Sequence, residues 1–217
     1  MDYIRIGLIV SGAFLCGSIP FAFILGKCRG VDIRKEGSGN VGATNLGRCC
    51  GRPWGILCFA LDFSKGLIPV LLSMKLADWA GCETPFNREI LPILTALASV
   101  CGHIFTPFLG FKGGKGVATS AGALLPLSPW GLLTALVIWA VVLKLTRTMA
   151  LASIAGAVVF PLAALMWRSL GISSGPGNMT CIFMSLISIL TIVRHRSNIQ
   201  RILAGKELKL ETSANKH

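Results

Sequence analysis

Three short stretches of the chain carry residue types that handle phosphate. The first is Gly37–Asn45, reading GSGNVGATN, in which Gly37, Gly39 and Gly42 fall at a G-x-G-x-x-G spacing. Glycines so placed let the backbone approach a ligand and turn successive N–H groups onto an anion. Ser38, Asn40, Thr44 and Asn45 add neutral hydrogen-bonding groups, and Lys35 and Arg48 flank the stretch with charge. A dinucleotide-binding domain uses the same spacing, but between a strand and a helix of a βαβ unit, with an acidic residue about 20 positions on. No such unit fits before Trp54, and the only acid that follows, Asp62, lies inside an apolar run. Taken alone, the stretch reads equally as a phosphate loop or as a Gly/Asn/Ser turn between helices.

The second stretch is His103–Thr119, HIFTPFLGFKGGKGVAT, with Gly113, Gly114 and Gly116 around Lys115. It is near a Walker A loop without being one, because Leu109 stands where that loop has its first glycine and Gly116 where it has Ser or Thr. The usual magnesium-binding hydroxyl is therefore missing, while Lys115 can still act as a point charge on phosphate. Its alternative is a flexible loop leading into a small-residue packing face through Ala118, Ala121 and Gly122. The third stretch, Val193–Lys206, puts Arg194, Asn198 and Arg201 on one helical face, and His195 with Asn198, although a basic flank of a membrane span looks similar. Asp62 and Lys65, three apart in LDFSKG, read as a structural ion pair ahead of a catalytic one.

These stretches must be held by something, and the composition says by membrane helices. Of 217 residues, 53% are hydrophobic and 14% charged, with a mean hydropathy of +0.70. Seven apolar spans are expected, near Ile4–Leu25, Trp54–Trp79, Ile90–Leu109, Val117–Leu127, Pro129–Leu145, Met149–Trp167 and Met179–Val193. The fourth is about half a normal span, so it begins earlier or is a broken helix lining a cavity. Sixteen Lys and Arg flank one side, Lys216 among them, against Arg5, Lys75, Arg88 and Arg168 on the other. The excess marks the cytoplasmic side, which puts the N-terminus outside and the C-terminus inside, a parity that seven spans give and six do not. The expected fold is all-α and polytopic, one membrane domain over residues 1–217 with a basic tail from about 194 to 217.

A net charge of +12 lies in loops beside spans, with no room for a nucleic-acid fold, so anionic membrane lipids or an anionic substrate account for it. The eight cysteines lack C-x-x-C spacing and read as small apolar fillers. Nine acids, Asp2, Asp32, Glu36, Asp62, Asp78, Glu83, Glu89, Glu207 and Glu211, leave no D-x-x-D-G cluster for magnesium. Neither His103 nor His195 is followed by the aspartate of an HxxxxD acyltransferase. A mechanism without metal or other cofactor is implied, with phosphate neutralised by Lys, Arg and backbone amides.

Together the stretches resemble one family, the bacterial acyl-phosphate-dependent glycerol-3-phosphate acyltransferases. The likeness runs through GSGNxGATN at Gly37–Asn45, LDxxKG at Leu61–Gly66, HxFxxFLxFxGGKGVAT at His103–Thr119 and RHRxNIxRLxxGxE at Arg194–Glu207, where Ile202 replaces a leucine. It implies a seven-helix fold in the bacterial inner membrane and a site facing the cytoplasm. The implied activity moves an acyl group from acyl-phosphate to the sn-1 hydroxyl of glycerol 3-phosphate, giving lysophosphatidic acid and phosphate. Ser38, Lys115, His195 and Asn198 are then the catalytic candidates. Gly37, Gly39, Asn40, Gly42, Thr44, Asn45, Arg48, His103, Gly113, Gly114, Gly116, Thr119, Arg194 and Arg201 are the substrate-binding candidates. The general base stays open between the substrate phosphate, His103 and His195, and Ser38 either positions the donor or carries the acyl group covalently. A transporter of an anionic metabolite is the other class, disfavoured because the polar residues cluster at one surface and no repeat is visible.

Overall fold

The computed structural model describes residues 2–171 and 177–210, and those residues form helices and turns with no strand. Glu211 and Lys216, and with them the end of the basic tail, lie outside the described residues. The elements are α1 (Tyr3–Ser18), α2 (Phe21–Cys28), α3 (Ala43–Cys50), α4 (Arg52–Lys75), α5 (Pro85–Ile104), α6 (Val117–Leu124), α7 (Pro129–Thr146), α8 (Met149–Ser169), α9 (Asn178–Arg194) and α10 (Arg196–Leu203). Starts carry local signals. Asp2 accepts from the Ile4 and Arg5 amides ahead of α1, and Thr84 accepts from Asn87 with Pro85 in the first turn of α5.

Five stretches are long and apolar enough to cross a bilayer: Tyr3–Cys28, Arg52–Lys75, Pro85–Leu109, Pro129–Thr146 and Met149–Ser169. Counting α9 and α10 as one span bent by 54° makes six. The expected fourth span is the departure. Val117–Leu127 yields an eight-residue α6, about 12 Å long at 1.5 Å per residue, which cannot cross alone. Gly116 starts it in the left-handed region, and Pro126, lacking an N–H, prevents its extension. The first span is broken near Pro20 into α1 and α2, and α4 ends at Lys75 rather than Trp79.

Side chains on the outer faces, such as Leu8, Leu72, Leu133, Leu162 and Ile189, are exposed, which suits lipid. Inside, packing is close because glycines meet carbonyls. A Cβ on Gly66 would lie 2.1 Å from the Thr119 oxygen, and one on Gly122 would lie 2.0 Å from the Phe63 oxygen, so α4 and α6 touch backbone to backbone. Gly17 against Ser99 and Gly102 against Phe14 do the same for α1 and α5. The main core, including Val70, Val100, Leu124, Leu132, Phe160 and Met184, lies between α4, α5, α6, α7, α8 and α9.

The ends of the bundle differ in charge. At one end Arg5 donates to the Trp79 carbonyl, Arg88 pairs with Asp78, and Arg168 donates to Asn178. At the other, Arg48 donates to the Leu208 carbonyl, the Leu210 amide to the Arg147 carbonyl, and Arg194 to the Gly114 carbonyl. Lys115 before α6 and Arg147 after α7 thus share an end, while Trp130 at the start of α7 packs on Trp167 near the opposite one.

Candidate active site

The first glycine stretch is held in shape by one side chain. Asn45 on α3 is 1% exposed; its amide nitrogen donates to the Ile33 carbonyl (2.9 Å) and the Glu36 carbonyl (3.1 Å), and its oxygen accepts from the Ser38 amide (2.8 Å). Gly37 has φ +58°, and a Cβ there would sit 2.4 Å from the Asn45 oxygen, so only glycine allows the turn. The small core of Ala22, Ile33, Val41, Leu46 and Cys58 supports it from below. The Ser38 side chain is half-buried, and its hydroxyl makes no hydrogen bond among the described residues.

The second stretch folds back on the end of α5. The Gly113 amide donates to the Ile104 carbonyl (3.0 Å) and the Gly114 amide to the His103 carbonyl (3.2 Å). A Cβ on Gly114 would meet His103 Nε2 at 2.2 Å and the Val41 carbonyl at 2.6 Å, so the first loop and the His103 ring grip this residue from two sides. Lys115 follows, half-buried, and donates to the Asn198 side-chain oxygen across to the third stretch.

The bend between α9 and α10 turns that third stretch toward the loops. His195 is buried there, its Nδ1–H donating to the Thr191 carbonyl at 2.8 Å, which leaves Nε2 as the acceptor. Burial, with Lys115 and Arg194 close by, lowers its pKa to about 4, against the Thr191 carbonyl and Glu207, so the ring is neutral near pH 7. Burial also lowers the Lys115 pKa to about 8, helped by Arg201, Arg48 and Arg194 and opposed by Glu207. Asn198 donates to Glu207 Oε1 (2.7 Å), and Arg201 Nε donates to Oε2 (2.8 Å).

Lys115, next to Gly113, Gly114 and Gly116, therefore sits among Arg48, Arg194 and Arg201, with Asn198 on its ammonium and His195 close by, a cationic cluster called the cup below. Ser38, Asn40, Gly39, Gly42 and Thr44 sit on the first loop, which adjoins the cup through Val41 and Arg48. Three expected binding residues lie off its surface. Asn45 is spent on its own loop, Thr119 is 0% exposed between α6 and α4, and His103 is closed behind Gly114. Glu207 received no role from the sequence beyond closing the third motif, yet its side chain is 8% exposed and balances the cup. The signal was there, an acid at the end of a basic run. Among the described residues no three His, Cys, Asp or Glu converge as metal ligands.

A family model described as glycerol-3-phosphate acyltransferase matches residues 7–205. A glycerol-3-phosphate acyltransferase of Trichlorobacter lovleyi is 43% identical over 202 residues, 93% of this chain and 96% of the relative. One from Aquifex aeolicus is 41% identical, covering 90% and 94%. The crystal structure of PlsY (YgiH), an integral membrane glycerol 3-phosphate acyltransferase in its glycerol 3-phosphate form, aligns with TM-score 0.81 at 39% identity, covering 96% of each chain. Its lysophosphatidic acid form aligns with TM-score 0.77.

Proposed function

The chain belongs to the PlsY-type glycerol-3-phosphate acyltransferase family, and from that premise we propose that it acylates the sn-1 hydroxyl of glycerol 3-phosphate with acyl-phosphate as donor. The observation that carries the reading is the convergence of Lys115, Arg48, Arg194 and Arg201 on one cup from three distant stretches. Two phosphorylated molecules repel each other, and clustered cations offset that repulsion so that the hydroxyl and the acyl carbonyl meet at high effective concentration.

The acceptor's hydroxyl oxygen attacks the carbonyl carbon, a C–O ester bond forms, and the C–O bond to phosphate breaks. The hydroxyl proton passes to an oxygen of the departing phosphate. His195 is neutral with Nε2 unprotonated, so it takes a hydrogen bond from the acceptor; its low pKa makes it a weak base. Lys115 and the arginines hold the phosphates as charge moves onto the leaving group. Asn198, fixed between Lys115 and Glu207, orders the cations, and the Ser38 hydroxyl positions the donor. Asn40, Thr44 and the amides of Gly37, Gly39 and Gly42 line the donor side.

In the membrane, α6 with its turn counts as the fourth of seven passes. The N-terminus is outside, the C-terminus and the cup face the cytoplasm of a bacterial inner membrane, and the chain is a single domain. Support comes from the basic end joining Arg48, Arg147 and Arg194 and the opposite end holding Arg5, Arg88 and Arg168. Detergent-purified protein given acyl-phosphate and glycerol 3-phosphate should release phosphate and form lysophosphatidic acid. A transporter of either molecule releases none, and that outcome would end the reading. Cys28, exposed at the basic end, should react with an impermeant maleimide only from the cytoplasmic side.

A further inference from the structure

Beneath the two glycine loops lie buried ionisable side chains that the reaction does not use. Asp62 and Lys65 stand one turn apart on α4, each side chain 3% exposed, with Nζ 2.8 Å from Oδ1. Lys65 also donates to the Ile19 carbonyl at 2.7 Å, at the break between α1 and α2. The Cys58 thiol reaches Asp62 Oδ2 at 3.6 Å, and His103 Nδ1 lies 3.7 Å from Oδ1. Asp62, Lys65 and His103 line a cavity of about 10 Å³ with Val41, Gly113 and Gly114, roughly the room one water needs.

We infer that Asp62, Lys65 and His103 form a positioning cluster that fixes the Gly113–Gly116 loop, and through it Lys115, against the first loop. The kinetic part of this inference rests on the acyltransferase reading. His103 holds the loop twice, by its carbonyl on the Gly114 amide and by its ring, which fills the space where a Gly114 side chain would be. Val41 of the first loop closes the opposite side of Gly114. The ring's Nδ1 faces the Asp62 carboxylate at 3.7 Å, and Asp62 is held by Lys65, which is itself anchored to the first span through Ile19. Lys115 is the next residue after Gly114, so a turn of the imidazole displaces the ammonium that reaches Asn198.

A pair serving stability alone is dispensable in a particular way: replacing both buried charges by apolar residues of similar volume is often neutral or stabilising. A pair serving position loses function under the same change, since a misplacement of about 1 Å costs about 10²-fold. The test is the double variant Asp62→Leu/Lys65→Met in the full-length protein in detergent. Expected are an unfolding midpoint no lower than the parent's, a KM for glycerol 3-phosphate raised about tenfold or more and a kcat lowered toward the 10²-fold level. Amide hydrogen exchange at Gly113–Gly116 should quicken. An unchanged KM with activity tracking only the folded fraction, and unchanged exchange, overturns the inference. Should the double variant not fold, His103→Ala leaves the ion pair in place and is expected to show the same KM rise and faster exchange; parent-like values in it overturn the inference equally. If the parent itself releases no phosphate, the acyltransferase reading fails, and the exchange at Gly113–Gly116 still decides the cluster.

Discussion

Lys115 ties the second stretch to the third through Asn198, and its charge is the quantity to perturb. Burial, seconded by Arg201, Arg48 and Arg194, lowers its pKa from 10.5 to about 8. At that value about three-quarters of the lysines are charged at pH 7.5 and about a tenth at pH 9. The phosphate of the acceptor has a second pKa of about 6, so it stays a dianion over this range. Only the ammonium form attracts it. The kcat/KM for glycerol 3-phosphate in the parent should therefore fall about eightfold between pH 7.5 and 9, with an apparent pKa near 8. Bound phosphate favours the charged lysine and moves the corresponding limb of kcat upward. In Lys115→Arg the guanidinium stays charged past pH 12, so the limb disappears, although the plateau drops because a planar fork does not reproduce an ammonium's contact with Asn198. The assay is initial phosphate release from pH 7 to 10 with donor saturating, corrected for spontaneous hydrolysis. A limb near pH 8 that survives in the arginine variant refutes the assignment. Stability runs the other way. Between pH 8 and 10.5 the unfolded chain holds a proton on Lys115 that the folded one has lost, so folding stability rises with pH while acceptor affinity falls.

Other outcomes follow from single contacts. Asn45→Asp turns a donor facing the Ile33 and Glu36 carbonyls into an acceptor, at a cost of about 1–3 kcal/mol for each group left unpaired; a thermal midpoint equal to the parent's would show that the loop does not depend on that amide. Gly122→Ala drives a Cβ to 2.0 Å from the Phe63 carbonyl, so α4 and α6 must separate and the midpoint should drop by the equivalent of about 1–3 kcal/mol. Mass spectrometry of the parent mixed with acyl-phosphate alone should find no adduct on Ser38; a stoichiometric acyl-serine would replace the direct transfer with a two-step one. His195 is held neutral down to about pH 4 while its unfolded form takes a proton below about 6.5, so acid should destabilise the parent across that window. His195→Gln should flatten that dependence in unfolding midpoints measured from pH 4 to 7.

Phosphate chemistry was legible because it is written in short local runs, where glycine spacing and a central lysine need no knowledge of the tertiary fold. Span counting was legible wherever a helix faces lipid. At α6 hydropathy gave only a half-length span; the helix is short because Pro126 stops it and enclosed because Gly122 and Gly66 press it onto α4, and an apolar count carries neither fact. Residue type also hides direction. Asn45 and Thr119 carry the groups a ligand would want, yet one holds its own loop and the other is sealed between helices. Glu207 shows the reverse, a residue whose importance comes from where α10 and the following turn carry it.

The cup's charge balance explains how such a site works on phosphate with side chains and amides. It sets Lys115, Arg48, Arg194 and Arg201 beside Glu207, a gathering of cations whose burial shows itself in the lowered Lys115 pKa. On the acyl-phosphate reading, a dianionic acceptor and a donor phosphate together bring about three to four negative charges to these cations. The step itself conserves that total and moves charge toward the departing phosphate, so the cations need no rearrangement between substrates and products. What they need is to be held at fixed distances against their own repulsion. Glu207 does this from the tail by binding Asn198 and Arg201 at once, and the buried cluster under Gly114 does it from within the membrane. Removing the Glu207 charge alone, as in Glu207→Gln, should then lower the Lys115 pKa further and bring the alkaline limb of kcat/KM below pH 8; a limb that stays in place would show that the tail carboxylate does not set the cup's potential.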